Sequence, residues 1–280
     1  MTKQFLNLGC GQHFHPDWEN VDYAPTSAKV RAHDLRTGIP YGDGSFDVVY
    51  HSHVLEHFSR GAGMQFLREC HRVMRSGGIL RIAVPDLEIV ARLYLEWLEK
   101  ARRVVSGARE NYEWMVLELY DQTVREKTCG EFVEYFRQNP FPNWEFVLSR
   151  WGSEATAFQN VFGKGSRDAE NSAARPATAW GYVLHHPVRV LRDKFLRLVL
   201  GEKDWQALQL GRFRRSGEIH LWMYDSFSLG ELLESVGFAH PQRFSATESQ
   251  IPDWNSFHLD SEPDGRTYKP DSLFMEAVKP

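Results

Sequence analysis

Apolar positions in the first ninety residues fall into two spacings. Phe5-Leu6-Asn7-Leu8, Phe46-Asp47-Val48-Val49-Tyr50 and Ile79-Leu80-Arg81-Ile82-Ala83-Val84 are short runs of strand length. They are bounded by Gly9-Cys10-Gly11, Gly42-Asp43-Gly44 and Pro85. Glu19-Asn20-Val21-Asp22 predicts one more short strand, ended by Pro25. Between them Met64, Leu67, Cys70 and Met74 recur at helical spacing, with Ser76-Gly77-Gly78 as the stop. Strands alternating with helices predict βαβ units and a mainly parallel sheet.

From about Leu87 to Gly217 the strand signal stops. Val90, Leu93, Tyr94, Trp97 and Leu98 follow the spacing of one apolar helix face, and Asp86 stands where an N-cap belongs. Further helices are expected over 111–127, 130–138 and 143–151, and the Gly-, Ser-, Ala-, Asn- and Pro-rich stretch 163–179 reads as a mobile loop. Pro187 opens another helix, with Val188, Leu191, Phe195, Leu198 and Val199 on one face. Past Gly217 the alternation resumes. Ser228 with Glu231 predicts a capping box before Leu229, Leu232, Leu233 and Val236, and two strands follow around 242–247 and 273–278. The organisation expected is one α/β domain built from residues 1–88 and 218–280, split by a helical insertion over 89–217 that covers the site and selects the acceptor.

Composition narrows the function classes. Hydrophobic content of 42% and charged content of 25% over 280 residues describe a globular chain. Lys+Arg 33 against Asp+Glu 37 supplies no electrostatic case for nucleic acid, and none is expected as a partner. Cys10, Cys70 and Cys129 are too scattered for a disulfide framework or a thiolate zinc site. No apolar run approaches a membrane span, and a strand-like run beginning by Phe5 leaves no room for a leader, so the cytoplasm is the expected compartment. Charge is uneven, however. Residues 189–215 carry Arg189, Arg192, Lys194, Arg197, Lys203, Arg212, Arg214 and Arg215 against Asp193, Glu202 and Asp204. That excess suits the phosphates of a lipid- or nucleotide-linked substrate, or peripheral contact with an anionic membrane. The insertion also holds Tyr94, Trp97, Tyr112, Trp114, Trp144, Trp151, Trp180, Tyr182 and Trp205, which read either as helical core or, for a few, as a stacking surface for a sugar. Nothing in the sequence sets the oligomeric state.

The chemistry is concentrated at strand ends. Gly9 and Gly11 close the first strand, where a backbone without Cβ lets a nucleotide cofactor approach, and Asp22 ends the next strand, where a carboxylate holds ribose hydroxyls. The dinucleotide fingerprint fails, since its third glycine would fall at Phe14. In order along the chain come Leu-Asn-Leu-Gly-Cys-Gly (6–11), Asn-Val-Asp (20–22), His-Asp-Leu (33–35), Gly-Ser-Phe-Asp-Val-Val (44–49) and Val-Met-Arg-Ser-Gly-Gly-Ile-Leu-Arg-Ile (73–82). The series closes with His220-Leu221-Trp222-Met223-Tyr224-Asp225 and Ser272-Leu273-Phe274-Met275-Glu276-Ala277-Val278. It resembles the class I S-adenosylmethionine-dependent methyltransferases, and within them the bacterial members found among glycan-assembly genes. The resemblance covers residues 4–88 and 218–279 and implies a Rossmann-like α/β sheet. It implies S-adenosyl-L-methionine as cofactor and S-adenosyl-L-homocysteine as product. It places Gly9, Cys10 and Gly11 at the methionine end, Asp22 and Tyr23 at the ribose, Asp34 and the Leu35 backbone at the adenine, and His51 and Ser52 near the sulfonium. Only ten residues separate Gly11 from Asp22, so the helix usual between the first two strands is expected to be short or missing.

His51-Ser52-His53-Val54-Leu55-Glu56-His57 is the densest group of reactive side chains. The His-x-x-Glu-His pattern matches inverted zinc proteases, but it follows a strand rather than lying in a long helix. It is similar to the Glu-x-x-Glu-His motif of metal-assisted ubiquinone and small-RNA 2′-O-methyltransferases, with His53 in place of the first glutamate. Three readings stand: a structural motif, a metal-free general base, and a transition-metal site of His53, Glu56 and His57. No metal is expected. His53 is the first candidate base, His220 the second, and His57 completes the set, while Asp86 either orients the acceptor or caps its helix. The activity expected is O-methylation of a carbohydrate or glycoconjugate. A natural-product O- or N-methyltransferase and a catalytically silent cofactor-binding partner subunit are the alternatives.

Overall fold

In a computed structural model the structure describes residues 3–163 and 187–280. The strand runs assemble one seven-stranded sheet from β1 (Phe5–Leu8), β2 (Glu19–Asp22), β3 (Val30–Ala32), β4 (Phe46–Ser52), β5 (Met74–Pro85), β6 (Ala239–Phe244) and β7 (Ser272–Val278). Their order is β3-β2-β1-β4-β5-β7-β6. Neighbours from β3 through β5 run parallel, and β7 lies antiparallel between β5 and β6. This is the expected Rossmann-like α/β sheet. Its central strands are buried on both faces, as a parallel sheet covered on both sides requires.

Several element boundaries differ from the sequence reading. Val30-Arg31-Ala32 forms an edge strand with only Val30 buried, too little apolar content to signal itself. Helix α1 (Arg60–Val73) ends without its glycine stop and β5 starts at once at Met74. Gly77, at φ 77, belongs to an irregular stretch where the pairing passes from Phe46–Met74 to Val48–Ile79. Ser226–Ser235 is the helix before β6, and Asp225 rather than Ser228 is its cap. The Asp225 carboxylate accepts from the Ser228 N–H (2.7 Å) while the Ser228 hydroxyl faces the Asp225 N–H (3.2 Å). β6 accordingly begins at Ala239, three residues before the expected start.

No helix joins β1 to β2, as the short spacing predicts. The face left bare is covered from the far end of the chain. Trp18 stacks on Phe5 (ring centroids 4.9 Å apart) and meets Tyr50, Trp254 and Phe257 edge-on. Arg81 on β5 pins that covering segment. Its Nε donates to Asp260 (2.7 Å), Nη1 to Glu276 (2.6 Å) and the Glu248 carbonyl, and Nη2 to the carbonyls of Ser245 and Ala246. All five guanidinium N–H groups are thus used in a site closed to water. Tyr50 donates to the other Asp260 oxygen (2.6 Å).

After β5 come α2 (Leu87–Arg102), α3 (Ala108–Val124), α4 (Phe132–Phe136), α5 (Trp144–Trp151) and α6 (Ser153–Phe162). They bury a core of their own around Trp114, Phe132, Phe136 and Trp151. The buried Glu118–Arg150 pair (2.9 Å) ties α3 to α5, and Trp114 donates to the same carboxylate. Helix α7 (Pro187–Arg214) is broken at Gly201 (φ 75, ψ 171), and α8 (Ser226–Ser235) returns the chain to the sheet. The expected loop over 163–179 lies, apart from Gly163, outside the described residues. No described helix is long and apolar enough to cross a membrane.

Removing one member of a buried ion cluster strands the others. Arg81→Leu is expected to lower unfolding free energy by about 3–5 kcal/mol in urea melts, because Asp260 and Glu276 lose their counter-charge. Adding Glu276→Gln to that variant should recover part of the loss. A wild-type-like melt for Arg81→Leu would remove the cluster from this account.

Candidate active site

The turn after β1 is built for close approach. Gly9 sits at φ 64, and a Cβ there would run into the Val54 side chain, so both conformation and space demand glycine. Gly11, at φ 55, faces open space. Its N–H donates to Asp22 Oδ2 (2.8 Å) and the Ala24 N–H donates to Oδ1 (2.9 Å), which fixes the Asp22 carboxylate at the mouth of a cleft of about 310 Å3. Tyr23, Asp34, Leu35, His53, Val54, His57 and Phe58 also line this cleft. Asp34 caps the short turn Leu35–Thr37 and holds Arg36 through both carboxylate oxygens, and that bonding lowers its pKa below the ordinary aspartate value. Arg36 lies over the Tyr23 ring (5.7 Å) and donates to the Arg215 carbonyl (3.1 Å). Ser216 and Gly217 complete the wall. Arg36, Ser216 and Gly217 were not singled out from sequence. Arg36 follows Asp34 in an unremarkable turn, and the other two reach the site only through the return of the chain.

A second cleft of about 240 Å3 adjoins the first across Gly9 and His53, which line both. Asn7, Cys10, Gly11, Tyr50 and Ser52 line it from the strand ends, and Leu259, Tyr268 and Lys269 from the covering segment. The Cys10 thiol is pushed up to about 12, first by burial and then by the Asp22 charge, so it is not a nucleophile at neutral pH. Lys269 brings a cation to this wall and pairs with Glu154 on α6 (3.2 Å). His13 stacks on Tyr268 with centroids 4.2 Å apart.

Behind these clefts sits Glu56, fully buried. His53 Nδ1 lies 3.3 Å from its Oε1 and His220 Nε2 4.0 Å from the same oxygen. Burial alone would raise this carboxyl, but the facing imidazoles of His53, His57 and His220 outweigh it and hold it well below the usual carboxylate range. His53 adopts φ 53, a left-handed conformation costly for a residue with a side chain, and its Nε2 meets Ser272 Oγ at 2.8 Å. The His57 ring packs edge-on against His220 (4.9 Å), and its Nδ1 meets the Ile219 carbonyl at 3.1 Å. The Glu56 carbonyl accepts from the Leu221 and Trp222 N–H groups, so this one residue also fixes where the chain re-enters the sheet domain.

The structure redistributes several expected roles. His220 is buried and lines neither cleft; burial lowers its pKa to about 3, so it is a neutral ring packed behind His57. The donor atoms that converge within 4.8 Å belong to Glu56, His57 and His220, not to His53, Glu56 and His57. Two imidazoles and a carboxylate would suit a zinc-like ion better than magnesium. His51 is also corrected: strand alternation turns Tyr50 and Ser52 one way and His51 the other, into the core against Phe66 (5.1 Å). Asp86 is a cap, with one oxygen on the Ile89 N–H (3.1 Å) and the other on Arg243 (2.7 Å). Tyr94, Trp97, Tyr112, Trp114, Trp144 and Trp151 line neither cleft, and all but Tyr112 belong to or pack on the helical core. Tyr112 instead packs its ring near that of Tyr94 (5.8 Å). Trp205 lines a separate groove with Glu126 and Thr128, while Trp180 and Tyr182 lie outside the described residues.

His51 gives a pH signature. Burial lowers its pKa from 6.5 to about 4, so below 6.5 the unfolded chain takes up a proton that the folded chain refuses. This contribution to stability is intact above 6.5 and is lost as pH falls toward 4, reaching about 2 kcal/mol near pH 5. Urea melts at roughly pH 7 and pH 5 should therefore show a smaller acid loss for His51→Leu than for wild type. Equal losses would mean that His51 is not held neutral.

Comparison with known proteins bears on the same strand ends. Residues 6–82 match the family model described as a methyltransferase domain. A protein of Mycolicibacterium smegmatis named as a probable S-adenosylmethionine-dependent methyltransferase is 35% identical over 101 residues, covering 30% of this chain and 38% of that protein. A protein of the same description from Mycobacterium tuberculosis is 32% identical over 102 residues, covering 30% and 36%. The chain thus spans little more than a third of the length of the curated relatives it matches. Among solved structures, the Haloferax volcanii complex of the Trm112 methyltransferase activator with its methyltransferase aligns over 99% of this chain and 83% of that one, at 10% identity and a TM-score of 0.38. An S-adenosylmethionine-dependent methyltransferase of Archaeoglobus fulgidus aligns over 33% and 51%, at 19% identity and a TM-score of 0.26. These superpositions are too loose to add to the fold, which stands on its own strand order. The glycine turn, Asp22, Asp34 and the His53–His57 segment all fall inside the stretch that carries the methyltransferase-domain signature.

Proposed function

We propose that this chain is an S-adenosylmethionine-dependent methyltransferase acting on a hydroxyl of a carbohydrate or glycoconjugate. The observation that carries the methyltransferase reading is the continuous pair of clefts joined at Gly9 and His53, with Asp22 held by two backbone N–H groups at the mouth. On this reading Asp22 receives the ribose hydroxyls, Asp34, Leu35 and Tyr23 surround the adenine, and Gly9, Cys10, Gly11 and Ser52 border the methionine end. The cofactor supplies a sulfonium methyl that needs no further activation, which leaves positioning and proton removal to the protein.

His53 is the residue assigned to proton removal. The buried Glu56 carboxylate beside Nδ1 favours the tautomer with its proton there, so Nε2 is the basic nitrogen; it accepts from the Ser272 hydroxyl (2.8 Å), a partner that the acceptor hydroxyl has to replace. The hydroxyl proton passes to Nε2 as the acceptor oxygen bonds to the methyl carbon and the carbon–sulfur bond breaks, with its electrons remaining on sulfur. His57 and His220 enclose the Glu56 carboxylate on its other sides and so hold it in place beside His53, and this assignment invokes no metal. The carbohydrate acceptor rests on the likeness to methyltransferases of glycan-assembly genes.

Titration calorimetry with S-adenosylhomocysteine tests the cofactor: Asp22→Ala should weaken binding by about tenfold or more. His53→Ala should keep that binding while turnover against a sugar-acceptor panel falls by about 10²–10⁴. Undiminished binding by Asp22→Ala, or full turnover by His53→Ala, would sink the respective assignment. Binding without turnover of any sugar, phenol or amine acceptor would favour a cofactor-binding partner subunit.

A further inference from the structure

The first arm of α7, residues 187–200, turns large apolar side chains to solvent. Val188 is 78% exposed, Leu191 68%, Phe195 64%, Leu198 83% and Val199 63%. At about 100° per residue these five fall within one arc of roughly 100°, and Arg192 and Lys194 fall just beyond its two edges. Contiguous exposure on this scale is a binding surface rather than ordinary scatter. The arm ends at Gly201, and the second arm is anchored: Trp205, Leu210 and Phe213 line a groove with Glu126, Lys127 and Thr128, and Arg214 donates to the Thr123 carbonyl. Among the described residues nothing covers the apolar arc of the first arm.

Charge indicates the occupant. Residues 189–215 hold eight Lys and Arg against three Asp and Glu, a balance of +5 in a chain whose total is -4, so the remainder carries -9. Arg192 shares Asp193 with Arg212, and Arg197 pairs with Glu202, but Lys194 has no ion-pair partner among the described residues. A basic helix with one apolar arc, too polar on its other faces to span a bilayer, fits an anionic lipid surface. We propose that residues 187–200 form an in-plane helix that docks this protein on anionic membranes, with the Val188–Val199 arc among the acyl chains and Arg192 and Lys194, at its two edges, at the lipid phosphates. Asp193 of this arm pairs with Arg212 of the second arm (3.1 Å), which leads on to Ser216 and Gly217 at the wall of the first cleft, so docking would bring the candidate active site toward the lipid surface.

Vesicle co-sedimentation tests this without cofactor or acceptor, so it stands or falls separately from the methyl-transfer reading. The full chain should sediment with mixed phosphatidylcholine–phosphatidylglycerol vesicles, far less with phosphatidylcholine alone, and less as salt is raised. Phe195→Glu combined with Leu198→Glu should cut partitioning by about tenfold or more, and Arg192→Glu combined with Lys194→Glu should abolish the preference for anionic lipid. The apolar pair and Lys194 are exposed and unpaired, so an unchanged melting temperature and S-adenosylhomocysteine affinity will show that the fold is intact. Absence of sedimentation with either vesicle, or wild-type partitioning by the Phe195/Leu198 variant, would overturn the proposal. So would a self-associated species in ultracentrifugation that Phe195→Glu dissolves while vesicles bind nothing, since the arc would then be a protein contact.

Discussion

A carboxylate sealed from water must be surrounded by compensating groups, and Glu56 imposes that requirement on three separate stretches of chain. His53 is drawn to it from the end of β4 through a left-handed backbone, His57 from the following turn, and His220 from the far side of the helical segment. Its carbonyl receives Leu221 and Trp222, so the residue that organises the imidazoles also locks the chain's return. Fold and candidate chemistry share one buried charge. A substitution at Glu56 would therefore disturb both at once, which is why His53 is the cleaner place to separate catalysis from folding.

A second buried charge does the corresponding work on the opposite wall. Because only ten residues join Gly11 to Asp22, β1 and β4 lack a covering helix on one face. The segment around Trp254 and Asp260 takes its place, held by Arg81. The same stretch of chain brings Leu259, Tyr268 and Lys269 to the second cleft. The missing helix is thus coupled to the composition of the site.

Much of the sheet domain was legible in the sequence, because buried parallel strands and turn glycines write strong local signals. Gly9, Asp22 and His53 were readable on those grounds, Asp34 only through the family resemblance, and all four line the first cleft. What escaped has physical causes. β3 buries one side chain and so has no apolar pattern. The side chain of His51 points away from its neighbours because a strand alternates, a fact the cluster of histidines conceals when read as a string. Gathering His220 with Glu56 requires the tertiary path of the intervening helices, and so does the arrival of Ser216, Gly217 and Lys269. The aromatic wealth of the helical segment was legible as composition, but its destination was not: Trp114 and Trp151 stabilise a separate core instead of facing an acceptor.

The central claim is that one ligand runs from Asp22, past Gly9, to the His53 side of the second cleft. A crystal structure of the protein with S-adenosylhomocysteine tests it most directly. The account predicts both ribose hydroxyls on the Asp22 carboxylate, adenine beside Asp34 and Leu35, and the thioether sulfur between Gly9 and His53. Ligand bound elsewhere, or an Asp22 that keeps only its Gly11 and Ala24 partners at full occupancy, would contradict it.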